Sequence, residues 1–423
     1  MTEGAFFVRP KGARDMIADG YTTLRWPVKD QRTKTVVSDL AWNLAPLPQT
    51  TPQVADLVHI AAGAYMADRS TRRGTRFSRD LRLKVAVLAP EMWSEDLLDT
   101  VAGLLGWLTG DVWDLTVTPA PETELPNTIP QTEATQVSLL SGGLDSFLGA
   151  LRLLQSGQHP QFVGHKDTAP SVKHAQALTR DWLQRSFSPA PSYSRFALSQ
   201  AGSRIEASSR SRSLMFLSLG IAAAISSGSA SLIIPENGYT GINLPLRPNR
   251  GGALSTRSTH PETFHRVAQI LDALDIGVTV ANPFEWMTKG EVMTMVAAAS
   301  PPDGWEEAAA CTLSCSKLDG NWFGASPNYN CGLCVPCLVR RATFLKAGIT
   351  DKTPYVCEVV TGQQLQDLID KRRGDIEAVK YAIISGVNPD DIDAGTWPPG
   401  YDLDRAEALV QRGLDELALL ELP

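Results

Sequence analysis

Five of the six cysteines fall within the 27 residues from Cys311 to Cys337. Cys331, Cys334 and Cys337 are spaced C-x2-C-x2-C, and Cys315 lies sixteen positions before Cys331. Tight C-x-x-C turns preset thiolates for a tetrahedral ion, and a loop can bring in a fourth ligand. Four thiolates would close a zinc shell and leave no position for water, so the chemistry expected here is structural. Cys311 could stand in for Cys315, free buried thiols are the plain alternative, and an iron–sulfur cluster is a second option. Cys357 is isolated and reads as a core or surface thiol.

The stretch "SGGLDSFLGA" at 141–150 follows the apolar run "TQVSLL" and precedes "LRLLQSG". A strand, a short glycine loop and a helix opening at Ser146 together make an anion site, because free backbone N–H groups and the helix dipole point into the loop. Glycine also lets the backbone approach a phosphate closely. No G-K-[ST] element is present, which excludes the phosphate-loop NTPase motif. Farther on, Thr288 and Glu291 in "MTKGEVM" form a T-x-x-E capping box, which explains Glu291 without catalysis. Arg69, Arg72, Arg73, Arg76 and Arg79 cluster in "DRSTRRGTRFSRD"; such runs are usually solvated faces, the functional alternative being a site for an acidic partner or a tRNA.

These residues need elements to hold them. A chain of 423 residues is too long for one ordinary core. With 43% hydrophobic and 20% charged residues it has a globular composition. No apolar run reaches the roughly 20 residues of a membrane span. The longest, "LMFLSLGIAAAIS" from Leu214, reads as a buried helix. The N-terminus lacks a secretory pattern, so a cytoplasmic location is expected, where clustered cysteines are metal ligands or free thiols more often than disulfides. A net charge of −7 offers nucleic acid no general attraction.

Residues 1–130 form the first region. In it "LRLKVAVLAP" alternates Leu81, Leu83, Val85 and Val87 as a half-buried strand should, and "SEDLLDTVAGLLGWLTG" opens on a candidate N-cap, Ser94. A small α/β domain is expected, ending in the Pro- and Thr-rich linker "TPAPETELPNTIPQTEAT". Residues 131–355 alternate "QFVGH", "RFALS", "SLIIPENG" and "IGVTVANP" with helical patterns, which points to a mostly parallel sheet covered on both faces. Residues 356–423 read as an extension of amphipathic helices.

Ser-Gly-Gly-Leu-Asp-Ser resembles the pyrophosphatase loop of the PP-loop ATPases, which cleave ATP to AMP and pyrophosphate to adenylate a carbonyl or carboxylate. Followed by "TLSC" and "CGLCVPCLVRRATF", it is similar to QueC, the 7-cyano-7-deazaguanine synthase family. The resemblance implies the adenine nucleotide alpha hydrolase-like, doubly wound α/β fold. It also implies ATP and Mg²⁺ at Ser141, Gly142, Gly143, Leu144, Asp145 and Ser146, and Zn²⁺ on Cys315, Cys331, Cys334 and Cys337. Lys289 matches the family's K-x-E element and is suited to stabilise phosphate charge in the transition state. "HKDTAPSVKHAQAL" falls where the family has a second nucleotide-contacting loop, making His165 and Lys166 candidates, with loop solvation as the alternative.

"RSRSLMFLSLGIAAA" resembles the family's R-N-x-x-F-L-S helix, with Arg212 and Ser213 in place of Arg-Asn. "PENGYTGINLP" and "GGALSTRSTHP" occupy the segment that should cover the substrate and offer Glu236, Asn237, Arg257, Thr259 and His260 in glycine- and proline-punctuated loops. Arg257 could equally be an ion-pair partner, and the family's D-Y-S-G-Y-P-D-C-R stretch is absent. The gap after Cys315 is longer than the family suggests, so "SKLDGNWFGASPNYN" is open to a role of its own.

The three-part layout looks like the QueC-like proteins of antiphage systems, the Qat component QatC and the QueC-like component of type IV CBASS. For that branch the resemblance implies a deazapurine carboxylic acid substrate joined to the N-terminal amine of a partner protein from the same operon, with the flanking regions holding the partner. The other readings are a housekeeping nitrile synthase, a PP-loop tRNA-modifying enzyme and a non-catalytic zinc scaffold.

Overall fold

A computed structural model describes residues 3–26, 36–74, 78–126, 134–167, 169–200, 205–206, 210–247 and 257–423. The chain is a mixed α/β protein with two parallel sheets. In the first region β1 (Glu3–Pro10), β2 (Thr22–Trp26), β4 (Asp80–Val87) and β5 (Val112–Pro119) form a sheet of order β2-β1-β4-β5. Leu81, Leu83, Val85 and Val87 are all buried, as the alternation requires, and Ser94 caps the helix Glu95–Thr109 by accepting from Leu97 N.

The second sheet contains β6 (Val137–Leu139), β7 (Gln161–His165), β8 (Ser192–Phe196), β10 (Ser231–Ile233) and β11 (Thr279–Ala281) in the order β11-β10-β6-β7-β8. All its pairings are parallel. The chain therefore builds outward from β6 through β7 to β8, then returns to the other side of β6 with β10 and β11. Where strand order reverses, the loops leaving the carboxyl ends part and open a crevice, the usual ligand position in such sheets. The glycine loop leaves β6 at that reversal.

The linker separates two sheets but not two cores. Helix Pro52–Ser70 is buried along nearly its whole length and packs on both the first sheet and helix Arg212–Ser226, so one apolar cluster runs from Phe7 and Leu83 to Leu219 and Leu232. A short antiparallel pair, β3 (Val36–Ser38) with β9 (Leu198–Gln200), adds a further join. Residues 127–133 of the linker lie outside the described residues.

The arginine cluster belongs to this join. Arg79 is fully buried and donates to both Asp68 and Asp111, while Arg73 grips Asp111 through two bonds of 2.9 and 2.7 Å. Asp68 in turn accepts from Ser211 N (3.2 Å) and Ser211 Oγ (2.9 Å) at the start of helix Arg212–Ser226. Arg69 bonds Tyr65 Oη at 2.6 Å, and Arg72 is exposed. Arg73 and Arg79 are thus neither a solvated face nor a docking patch, because the two buried aspartates engage their guanidinium groups. Arg76 lies outside the described residues.

The C-terminal region is helical, with long helices Gly362–Ser385 and Leu403–Leu417. Among the described residues no helix is long and apolar enough to cross a membrane.

Candidate functional site

The loop after β6 is tied inward on itself. Ser146 Oγ donates to Gly143 O (3.0 Å) and accepts from Ser141 N (3.2 Å), and Ser141 Oγ accepts from Gly143 N (3.2 Å). Helix Leu144–Gln155 begins two residues earlier than the sequence suggests, with Gly143 as N-cap. Gly142 has φ +89° and an added Cβ would stand 3.0 Å from Gln176 Cγ, so both conformation and space favour glycine there. Leu144 turns its side chain into the core and can offer an anion only its backbone N–H.

Asp145 points away from the loop toward two other elements. Its Oδ2 lies 2.7 Å from Lys289 Nζ, and its Oδ1 accepts from Asn237 Nδ2 at 2.9 Å. Lys289 is the first residue of helix Lys289–Ala298, whose capping box is formed by Thr288 and Glu291 as the sequence predicts, and its side chain is 7% exposed. Asn237 follows β10 and caps the short helix Gly238–Ile242, while its amide also reaches Glu236 Oε1 at 3.1 Å. Thr240 Oγ1 donates to Glu236 at 2.8 Å. Burial, followed by the charge of Asp145, pushes the Glu236 carboxyl up to about 8 against the pull of Lys289. Five polar residues from three parts of the chain thus form one cluster beside the loop.

A cavity of about 230 Å³ opens beside Ser141 at the ends of β6 and β7. His165, Asp167, Gln176, Arg212 and Phe216 line it. Arg212 pairs with Asp167 and lies 4.8 Å above the Phe216 ring. His165 bonds Leu198 O at 2.9 Å, and burial, aided by Arg212, lowers its pKa, so the ring is neutral at pH 7. Gln176 Nε2 holds the carbonyls of Ser141 (3.2 Å) and His165 (3.0 Å), fixing the loop to the cavity wall. Apolar walls with a few oriented polar groups suit a flat heterocycle. Lys166, by contrast, is half exposed and paired with Asp39.

The remaining candidates have structural partners. Arg257 stacks 3.9 Å over the Trp107 ring and donates to Trp107 O at 3.0 Å. Among the described residues its side chain meets a ring face and a carbonyl and no carboxylate. His260 caps helix Pro261–Ala273 through Nδ1, which accepts from Glu262 N, and packs between Trp107 and Trp397. Thr259 presents its carbonyl oxygen to Gly241. Residues 248–256, which include all of "GGALST", lie outside the described residues.

Cys315, Cys331, Cys334 and Cys337 bring their four Sγ atoms within 4.8 Å of one another, all buried. The pairs Cys315–Cys334 and Cys331–Cys337 are each 3.9 Å apart. A zinc tetrahedron with Zn–S near 2.3 Å has edges of about 3.8 Å, so the four positions fit a metal ion such as zinc. The amides of Lys317 and Cys331 point at Cys315 Sγ, both at 3.4 Å, as they would toward a thiolate. Hydrogen bonds from the other three cysteines and from Arg372 hold the Cys331 thiol well below its ordinary value, while burial pushes Cys337 up. As four thiolates they would need a cation at their centre, the role a metal ion such as zinc could fill.

Cys311 is exposed and outside the cluster, which leaves Cys315 as its fourth member. Cys357 is closer to the site than its sequence position suggests: its amide donates to Cys331 O at 3.3 Å. In the segment between Cys315 and Cys331, Asp319 pairs with Arg372 and Lys371, so the segment anchors helix Gly362–Ser385 beside the cysteines. Asn330, at its end, accepts from Ser314 N and Cys315 N.

No family model matches this chain, and no curated protein matches it in sequence.

Proposed function

We propose that the chain is a QueC-like PP-loop enzyme that adenylates the carboxylate of 7-carboxy-7-deazaguanine, or a close analogue, and passes the acyl group to an amine. The observation that carries this reading is the convergence of Lys289 on Asp145 at the mouth of the glycine loop, where the strand order of the sheet reverses.

The backbone N–H groups at the start of helix Leu144–Gln155 receive the pyrophosphate end of ATP, and the cavity lined by His165 and Phe216 receives its base. A carboxylate oxygen of the substrate attacks the α-phosphorus. The bond to the bridging oxygen breaks and pyrophosphate leaves with the electron pair. Lys289 stabilises the charge that grows on the departing oxygens. An amine nitrogen then attacks the acyl carbon, the C–O bond to AMP breaks, an amide forms and one proton is released. A divalent ion bound near Asp145 supplies charge neutralisation for the phosphates. Zinc on the four cysteines supplies a closed structural shell.

The preferred acceptor is the N-terminal amine of a partner protein in an antiphage system, because nitrile synthesis gives no reason for the flanking regions. The test combines purified protein, ATP, Mg²⁺ and the deazaguanine acid, with and without neighbour-encoded proteins, and follows AMP, small products and protein mass. A mass gain on a neighbour's N-terminus supports the proposal, and nitrile formation without a partner favours the housekeeping enzyme. No AMP with any acceptor would sink the catalytic reading.

A further inference from the structure

Helix Lys289–Ala298 is already capped. Thr288 Oγ1 accepts from Glu291 N at 3.1 Å, and Glu291 Oε2 accepts from Thr288 N at 2.8 Å. A second carboxylate nevertheless reaches the same turn from the C-terminal helix Leu403–Leu417. Glu416 is buried, one of its oxygens accepts the Thr288 hydroxyl, and the other accepts from Gly290 N at 3.2 Å. One turn earlier, Arg412 Nε donates to Glu291 Oε1 at 2.7 Å and a terminal nitrogen donates to Trp286 O at 3.0 Å.

Four groups between Trp286 and Glu291 are thus gripped by one helix, and Lys289 lies in the middle of them. The closeness is built in: a Cβ on Gly290 would stand 2.5 Å from Glu416 Oε1 and 2.6 Å from Lys346 Cγ. Burying a carboxylate is expensive unless its oxygens are satisfied, and a capped helix end gains little from a second cap. What Glu416 adds is a rigid tie between the C-terminal region and the residues that flank Lys289.

We infer that Glu416 is a positioning residue for Lys289. By holding Thr288 and Gly290 it keeps the ammonium at Asp145, which makes the C-terminal region part of the nucleotide site as well as any partner contact. The inference rests on the reading that Lys289 meets phosphate.

The test uses the full-length protein and three variants: Glu416→Ala, Glu416→Gln and, as an exposed control on the same helix, Asp415→Asn. Lys289 is labelled with an amine-reactive ester and its acylation rate is followed by mass spectrometry, which needs no nucleotide. Removing a buried charge-assisted tie should raise Lys289 labelling roughly tenfold in Glu416→Ala, while Glu416→Gln, which keeps an acceptor oxygen, stays within about threefold of wild type. Asp415→Asn should behave as wild type. In pyrophosphate release, Glu416→Ala should lower kcat and leave KM for ATP nearly unchanged.

Wild-type labelling of Lys289 in Glu416→Ala overturns the inference. If that variant does not fold, Gly290→Ala takes its place: alanine favours the helix yet displaces Glu416, so faster labelling supports the tie and unchanged labelling overturns it. Absence of ATP cleavage by the wild type would count against the proposed function instead, and the labelling result is independent of it.

Discussion

Leu313 donates its backbone N–H to Gly142 O at 2.9 Å. Leu313 stands two residues before Cys315, and Gly142 is the left-handed residue of the glycine loop. The four-cysteine cluster and the proposed phosphate loop are therefore joined by a backbone hydrogen bond, and a Cβ added at Gly143 would stand 3.6 Å from Leu313 O. A structural metal here would hold the loop as well as its own knuckle.

The purified protein should accordingly carry about one zinc per chain, measured by elemental analysis. Chelation or Cys331→Ser should release it and speed hydrogen exchange of the Leu313 amide. Zinc loss that leaves this amide protected would show that the knuckle does not brace the loop.

Lys289→Met removes the only buried lysine among the described residues and leaves Asp145 and Glu236 facing one another. Pyrophosphate release should fall about 10²- to 10³-fold, the scale of losing one preorganised charge at a transition state. Circular dichroism should remain that of the wild type, since the capping box does not need the lysine ammonium. A loss below about fivefold would remove Lys289 from the chemistry.

Local pattern carried much of the fold. Alternation in 81–87, the Ser94 cap and the Thr288–Glu291 box all depend on neighbouring residues, and each has its expected form. Spacing likewise delivered three of the four cysteines, although only the fold separates Cys315 from Cys311. What escaped the sequence depends on distant partners. Gln176 reaches the loop from a helix 35 positions away in sequence, and Glu416 reaches Thr288 across 128 positions. Glu416 stands in no motif, and Gln176, although inside "HKDTAPSVKHAQAL", is marked there by no local pattern. The arginine run misled partly for the same reason, because Asp111 lies 32 positions beyond Arg79, while Asp68, at the head of the run itself, meets Arg79 only through the tertiary fold.

That buried network should be costly to break. Arg79→Met removes the fully buried guanidinium from Asp68 and Asp111; Arg73 remains, with Nη2 3.6 Å from Asp68 Oδ1, and Ser211 still donates to Asp68. Stranding a buried carboxylate costs about 3–5 kcal/mol, and the partial substitute places this case near the lower end. Urea unfolding should show the loss, and because Asp68 also holds Ser211 at the start of helix Arg212–Ser226, amide exchange in the first turn of that helix should rise with it. A change under about 1 kcal/mol would mean that the pair is no more than a surface salt bridge in effect.

The Glu236 carboxyl makes the stability of the fold depend on pH. Burial first, then the Asp145 charge, raise its folded pKa from 4.5 to about 8. The folded protein therefore binds this proton more tightly than the unfolded chain does. Its stabilising contribution is complete below pH 4.5 and is lost progressively as pH rises to about 8. Glu236→Gln is uncharged throughout and keeps an oxygen for the Thr240 hydroxyl, which donates at 2.8 Å in the wild type. The melting temperature of the variant minus that of the wild type should thus grow across this window and level off above it. Lys289 pulls the carboxyl down, so in a Lys289→Met background the window should extend to higher pH. A difference that is flat, or that shrinks as pH rises, would show that Glu236 ionises freely and that the cluster beside the loop is wetter than its packing indicates.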